Sequence, residues 1–184
     1  VLGGVAPGST LKPFLALAGM DSGTRRPEDR TLSTGMFYLP GTRRGWGDSH
    51  RGGHGWTDAR KSIADSVNTY YYQLALDMGI ARIEEYLTRY GFGRPSGIDL
   101  SGEYPGILPT PAWKMKQRQE RWYPGDTVNI SIGQGDWKVT PLQMVRGTGA
   151  LADAGQLRHP HLVEARRDRF DAVSYTHLTL PTKA

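Results

Sequence analysis

The sequence predicts a helix-rich chain with a few short strands, and three observations carry that expectation. First, apolar residues recur at helical spacing in runs that end at glycine: Leu11, Phe14, Leu15 and Ala18 before Gly19; Tyr71, Leu74, Ala75 and Met78 before Gly79; Ile83, Leu87 and Tyr90 before Gly91. Second, strict alternation marks one short stretch, Val128, Ile130 and Ile132. Third, 24 glycines and 12 prolines in 184 residues demand short elements and tight turns. With 38% hydrophobic residues the chain can bury one core, so one domain is expected.

The first helix is expected from about Ser9 to Ala18, with Gly19 as its stop. Pro13 is tolerable only in the first turn, where amide groups lack helical acceptors, and it disfavours the α conformation at Lys12. The start therefore belongs at Ser9 or Thr10, which puts Ser9 near the positive end of the helix dipole. Residues 22–57 are rich in Gly, Arg, Ser and Thr with little periodicity; irregular structure is expected, with short extended pieces near Gly35 to Leu39. A short helix follows over Thr57 to Ala64. Thr69 to Met78 and Ile80 to Tyr90 are clear helices. Pro95 to Thr110 reads as loop. Thr110-Pro111 opens another helix through the charged run Lys114 to Arg121, proline being favoured at the first helical position. Thr127 to Ile132 is expected as a strand. Thr140-Pro141-Leu142-Gln143 is a capping box starting a helix from Pro141 to about Ala154, and His161 to Ala165 reads as a further strand.

The formal charge of +5 suggests anionic partners. The basic residues are spread along the chain, and neither the glycine-aromatic motif of an RNA-binding sheet nor zinc-finger spacing accompanies them. A solvated basic surface is expected, and no nucleic-acid partner. The absence of cysteine excludes a disulfide framework and cysteine-ligated zinc. No run of about 18 apolar residues is present to span a membrane. The opening Val1-Leu2-Gly3-Gly4 has no signal-peptide pattern, and the chain reads as an internal piece of a longer protein.

Chemistry concentrates in two places. Ser9 and Lys12 stand three residues apart where Pro7-Gly8 feeds a helix, so they share a face and the amine can reach the hydroxyl. That is the minimum for a serine nucleophile activated by a lysine base. The lysine would need its pKa lowered from about 10.4, and both burial and the helix N-terminus push that way. The plainer alternative is a helix cap followed by a solvated lysine. Ser66-Val67-Asn68 precedes the Thr69 to Met78 helix, where a hydroxyl could relay a proton and a carboxamide could hold a substrate amide. Its plainer alternative is an N-cap, for which Ser and Asn are both favoured.

Together, Ser-x-x-Lys and a downstream Ser-x-Asn resemble the penicillin-recognising serine transpeptidases and serine β-lactamases. The text around them, including Tyr90-Gly91-Phe92-Gly93, Tyr123-Pro124-Gly125-Asp126-Thr127, Ile132-Gly133-Gln134-Gly135 and Thr140-Pro141-Leu142-Gln143-Met144, narrows the resemblance to class B penicillin-binding proteins of the elongation type. The resemblance implies an α/β fold: an antiparallel sheet with helices on one side and a helical subdomain, of which these residues hold mostly the helical part. It implies peptidoglycan D,D-transpeptidation, with Ser9 as nucleophile, Lys12 as its base, Ser66 as proton relay and Asn68 holding the donor peptide amide. Gly133 and Gln134 would form a tight turn at the cleft. Stem peptides and β-lactams would be the ligands, with no cofactor. A SEDS-type glycan polymerase and the elongation complex would be partners of the parent protein, anchored at the outer face of the cytoplasmic membrane. The alternatives are hydrolysis, as in D,D-carboxypeptidases and β-lactamases, or a β-lactam sensor that does not turn over.

Three features depart from the family pattern or need a separate reading. No Lys-Thr-Gly or Lys-Ser-Gly is present; that motif's strand binds the substrate carboxylate, and the backbone beyond it gives half of the oxyanion hole. These residues alone are therefore expected to be poorly stable and largely inactive. Residues 1–172 read as a partial transpeptidase domain, whereas 173–184 read as a non-native tail resembling translated adapter sequence, so His177 receives no role. Some relatives hold zinc near the region of Asp48, His50, His54 and Asp58. Here the spacing is loose and cysteine is lacking, so no metal is expected.

Overall fold

A computed structural model describes residues 3–167 and 173–175. They are mostly helical, with three two-stranded antiparallel ladders. A 3₁₀ turn, Gly8–Leu11, runs directly into α1 (Lys12–Asp21). Pro13 lies in the first turn of α1, as its missing N–H requires. Lys12 nonetheless adopts the α conformation (φ −55°, ψ −43°), overriding the penalty from the following proline. The helix also runs through Gly19 instead of stopping there. A Cβ on Gly19 would lie 2.6 Å from Leu74 Cδ1, so this glycine serves the close approach of α3.

Residues 22–57 are more regular than expected. Four three-residue strands nest as two hairpins, β1 (Thr31–Ser33) pairing with β4 (Gly55–Thr57) and β2 (Met36–Tyr38) with β3 (Gly45–Gly47). Next come α2 (Ala59–Ala64), capped by Asp58 accepting from the Lys61 amide at 2.9 Å, α3 (Asn68–Met78) and α4 (Ile80–Arg89). Gly79 terminates α3 at φ +76°. The 95–110 stretch is loop, and α5 (Pro111–Arg118) follows the Thr110 cap.

The stretch expected as a strand over Thr127 to Ile132 is helical: α6 spans Pro124–Ile130. Pro124 sits at its first position, and the Asp126 carboxylate reaches back to the Tyr123 amide at 2.8 Å. The short apolar run fits either period, and the cap decides. Its buried residues, Thr127, Val128 and Ile130, belong to a helix packed on α3. The Thr140/Gln143 capping box starts α7 (Pro141–Ala152) as expected. Gln143 also clamps the preceding loop, donating to the Arg94 and Pro105 carbonyls at 2.8 Å each. The strand expected over His161 to Ala165 is displaced: β5 is Ala165–Arg167, paired with β6 (Val173–Tyr175). Residues 176–184, His177 included, lie outside the described residues.

The core forms around α3, which is buried on most sides (Tyr70, Tyr71, Tyr72, Leu74 and Ala75 are all 2% exposed or less). Leu11, Phe14 and Leu15 of the first helical segment, Ile83 and Leu87 of α4, and Phe92 and Trp137 complete it. A smaller cluster, Leu39, Trp46, Tyr72 and Val128, ties the β2–β3 hairpin to α3 and α6. The two elements that carry the serine motifs are thereby held against each other by the main core, to which Leu11 of one and Val67, Tyr70 and Tyr71 of the other belong.

Candidate active site

Lys12 is the centre of the site. Its side chain extends from the start of α1 to the loop before α3, and only 1% of the residue is exposed. The ammonium donates to Ser66 O at 2.6 Å, Ser66 Oγ at 3.0 Å and Asn68 Oδ1 at 2.6 Å. Those bonds use all three ammonium protons. The amine therefore points across to the second motif and makes no hydrogen bond to Ser9. Tyr71 closes the apolar side, its ring centroid 5.5 Å from the nitrogen. Burial pushes the Lys12 amine down to about 8, against the opposing pull of the Asp48 charge.

Ser66 adopts a left-handed conformation (φ +54°), uncommon for a residue with a side chain. That geometry goes with both its carbonyl and its hydroxyl facing the same ammonium. The plain capping reading of Ser66 and Asn68 fails, because neither side chain caps α3. Asp48 does so from twenty residues upstream, accepting the Asn68 amide at 2.7 Å and the Thr69 amide at 3.1 Å. Its side chain is fully buried. Burial alone would raise its pKa, but hydrogen bonds from Thr69, Ser33 and Asn68 outweigh that and hold the carboxyl at about 2. Asp48 thus fixes the helix end that presents Asn68 and supplies negative charge near Lys12. Asn68 is also held from its amide side, donating to Gly47 O at 3.2 Å.

Ser9 sits in the 3₁₀ turn and is exposed. Residues three apart eclipse in such a turn, so Ser9 and Lys12 share a face. The turn is held from behind by Gly133, whose carbonyl accepts the Gly8 amide at 3.0 Å. Gly8 (φ +56°) and Gly133 (φ +67°) both use conformations that favour glycine. A Cβ on Gly133 would overlap the Gly8 carbonyl oxygen and nitrogen. Gln134 is exposed beside the same turn; Gly8, if given a Cβ, would meet its amide nitrogen at 3.8 Å. The strand-like segment before Ser9 is anchored as well, Val5 and Val139 exchanging backbone hydrogen bonds at 2.9 Å.

All six site residues expected from the sequence thus line two adjoining features, the Lys12–Ser66–Asn68 network and the Gly8–Gly133 contact under Ser9. Asp48 and Tyr71 are the participants that sequence reasoning missed. In the sequence Asp48 stands among histidines, but in the fold those donors do not fit a metal. Its oxygens already accept from Ser33, Ser49, Asn68 and Thr69. Asp58 caps α2, and His54 Nε2 meets Ser49 Oγ at 2.9 Å. Among the described residues no group of three or more metal-ligating side chains comes together.

The sequence model of the penicillin-binding protein transpeptidase domain matches residues 3–183. The peptidoglycan D,D-transpeptidase MrdA of Salmonella typhimurium LT2 is 43% identical over 157 residues, 85% of this chain and 25% of that protein. MrdA of Escherichia coli K12 is 38% identical over the same length. The chain therefore spans about a quarter of the length of the curated relatives it matches. A crystal structure of Pseudomonas aeruginosa PBP2 in complex with WCK 5153 superposes with a TM-score of 0.84 at 40% identity, over 86% of this chain and 36% of that one. Helicobacter pylori PBP2 in complex with MreC gives 0.82 at 28% identity, over 96% and 32%.

Proposed function

The chain belongs to the penicillin-binding protein transpeptidase domain family, and from that premise we propose that it carries the nucleophile half of a peptidoglycan D,D-transpeptidase centre. The observation that carries this reading is the Lys12 network: one buried amine touches both Ser66 Oγ and Asn68 Oδ1 while rooted one turn after Ser9. A lysine whose pKa is near 8 is neutral in roughly one molecule in ten at pH 7, enough to act as a base.

In this reading the neutral amine takes the Ser9 proton as Oγ attacks the penultimate D-Ala carbonyl of a stem peptide. The C–N bond to the terminal D-Ala breaks, and the proton passes through Ser66 to the departing amine. A second stem peptide then attacks the ester with its own amine. The new C–N bond forms, the C–O bond breaks, and Ser9 recovers a proton. Asn68, fixed by Asp48 and Gly47, holds the donor amide, and β-lactams acylate the same oxygen. The 184 residues contain no Lys-Thr-Gly or Lys-Ser-Gly, so the grip on the substrate carboxylate is not supplied by a matching motif here.

Among the described residues no helix is long and apolar enough to cross a membrane. Membership of this family supports work at the outer face of the cytoplasmic membrane. The complex of the H. pylori relative with MreC, and a solved peptidoglycan synthase complex that coordinates polymerization and crosslinking, support a place in an elongation complex beside a SEDS-type glycan polymerase. Product analysis with the whole protein separates transpeptidation from its alternatives. Given a stem pentapeptide and an amine acceptor, a cross-linked dimer is expected. Release of D-Ala with hydrolysed tetrapeptide alone would mark a carboxypeptidase, and stable acylation without turnover would mark a sensor.

A further inference from the structure

Beside the site lies a concavity of about 630 Å³ between the β2–β3 hairpin and the first turn of α6, a volume suited to a peptide segment. Leu39, Pro40, Trp46, Tyr123 and Asn129 line it, and Arg44 stands at its edge. Gly125 lets the Trp46 ring close onto α6, since a Cβ there would come within 3.2 Å of the ring. Two chains of bonds join this pocket to the catalytic elements. Trp46 Nε1 donates to Asn129 Oδ1 at 3.0 Å, and the Asn129 carbonyl accepts the Gln134 amide at 3.1 Å, in the turn that supports Gly8 and Ser9. On the other side Gly47, next to Trp46, accepts from Asn68 Nδ2.

The charge of the pocket is asymmetric. Arg44 is exposed, lies 5.3 Å from the Trp46 ring, and has no carboxylate in ion-pair range among the described residues. The acid in the pocket, Asp126, is already bound to Lys114 Nζ at 2.8 Å. An apolar, aromatic floor with one free guanidinium selects an extended ligand that carries a carboxylate. The donor stem peptide occupies Asn68 in the transpeptidase reading, on which this inference rests. We propose that the pocket receives the second, acceptor stem peptide, with Arg44 holding one of its carboxylates.

The test measures binding apart from chemistry. Whole protein carrying Ser9→Ala is titrated with the tripeptide L-Ala-γ-D-Glu-meso-diaminopimelate, followed by calorimetry or ligand-observed NMR. Arg44→Ala is expected to weaken binding about tenfold and Arg44→Glu further. Amidating the peptide's carboxylates should remove the sensitivity to Arg44. Arg60→Ala, an exposed arginine on α2, should leave binding as it was. Absence of binding, equal affinity in the Arg44 variants, or the same loss from Arg60→Ala would overturn the assignment. Acylation of Ser9 by a fluorescent penicillin is read in parallel on the unsubstituted protein. Failed acylation with Arg44-dependent binding intact contradicts the transpeptidase reading alone; acylation without Arg44-dependent binding contradicts the pocket alone.

Discussion

At the scale of single residues Lys12 and Asp48 form an unequal pair. Lys12 is buried with its proton destabilised, while Asp48 is buried with its charge stabilised by four donors. For Asp48 the sign of the pH effect follows from a folded pKa of about 2, below its ordinary value of 3.8. Its stabilising contribution is complete above the unfolded value and is lost as pH falls from about 4 toward 2. Asp48→Asn would aim an NH₂ group at donors that now meet a carboxylate. A loss of about 2–3 kcal/mol is expected, read as a lower denaturant midpoint, with the Asn68 and Thr69 amides exchanging faster than the rest of α3. Unchanged protection of those two amides would mean that Asp48 is not their cap. The sequence makes Ser9, Lys12, Ser66 and Asn68 legible because each pair is a short motif. Asp48 is not legible, because a cap twenty residues away leaves no local signal, and its histidine neighbours suggest a different chemistry.

The elements explain why the motifs meet. Seven of the eleven residues of α3 are buried, so the loop that precedes it is attached to a well-anchored element, and α1 packs on it through Gly19. Helices with long periodic runs and glycine ends were readable from the sequence. The three-residue strands of the nested hairpins were not, since each is too short to display a period. The same brevity made α6 look like a strand, although Pro124 and Asp126 held the deciding cap signal. The turn at Gly133 gives the sharpest element-scale test. Gly133→Ala places a methyl group in the backbone of Gly8 and must displace the 3₁₀ turn that carries Ser9. Misplacing a nucleophile by about 1 Å costs on the order of 10²-fold in rate. Penicillin acylation by Gly133→Ala should fall by about that factor, and by far less in Gly135→Ala, where the nearest atom is Asn129 Cβ at 3.7 Å. Equal effects of the two changes would remove the packing argument.

For the whole molecule, the described residues are the helical share of a penicillin-recognising transpeptidase fold, built on a main core and a smaller second cluster, with Ser9 exposed in the 3₁₀ turn before α1. The family and the order of its motifs were readable in the sequence, because the blocks flanking both motifs persist through the chain. What was not readable is the acceptor pocket, which joins the β2–β3 hairpin to α6 across more than eighty residues. The central claim is that Ser9 is acylated with the help of a Lys12 amine near pKa 8. The direct measurement is the rate of benzylpenicillin adduct formation on the whole protein against pH, with the modified residue mapped by peptide mass spectrometry. The expected result is a single adduct on Ser9 whose rate climbs as pH rises through about 8, and which Ser9→Ala abolishes. An adduct on another residue, or a Ser9 rate that does not change across that range, would contradict it.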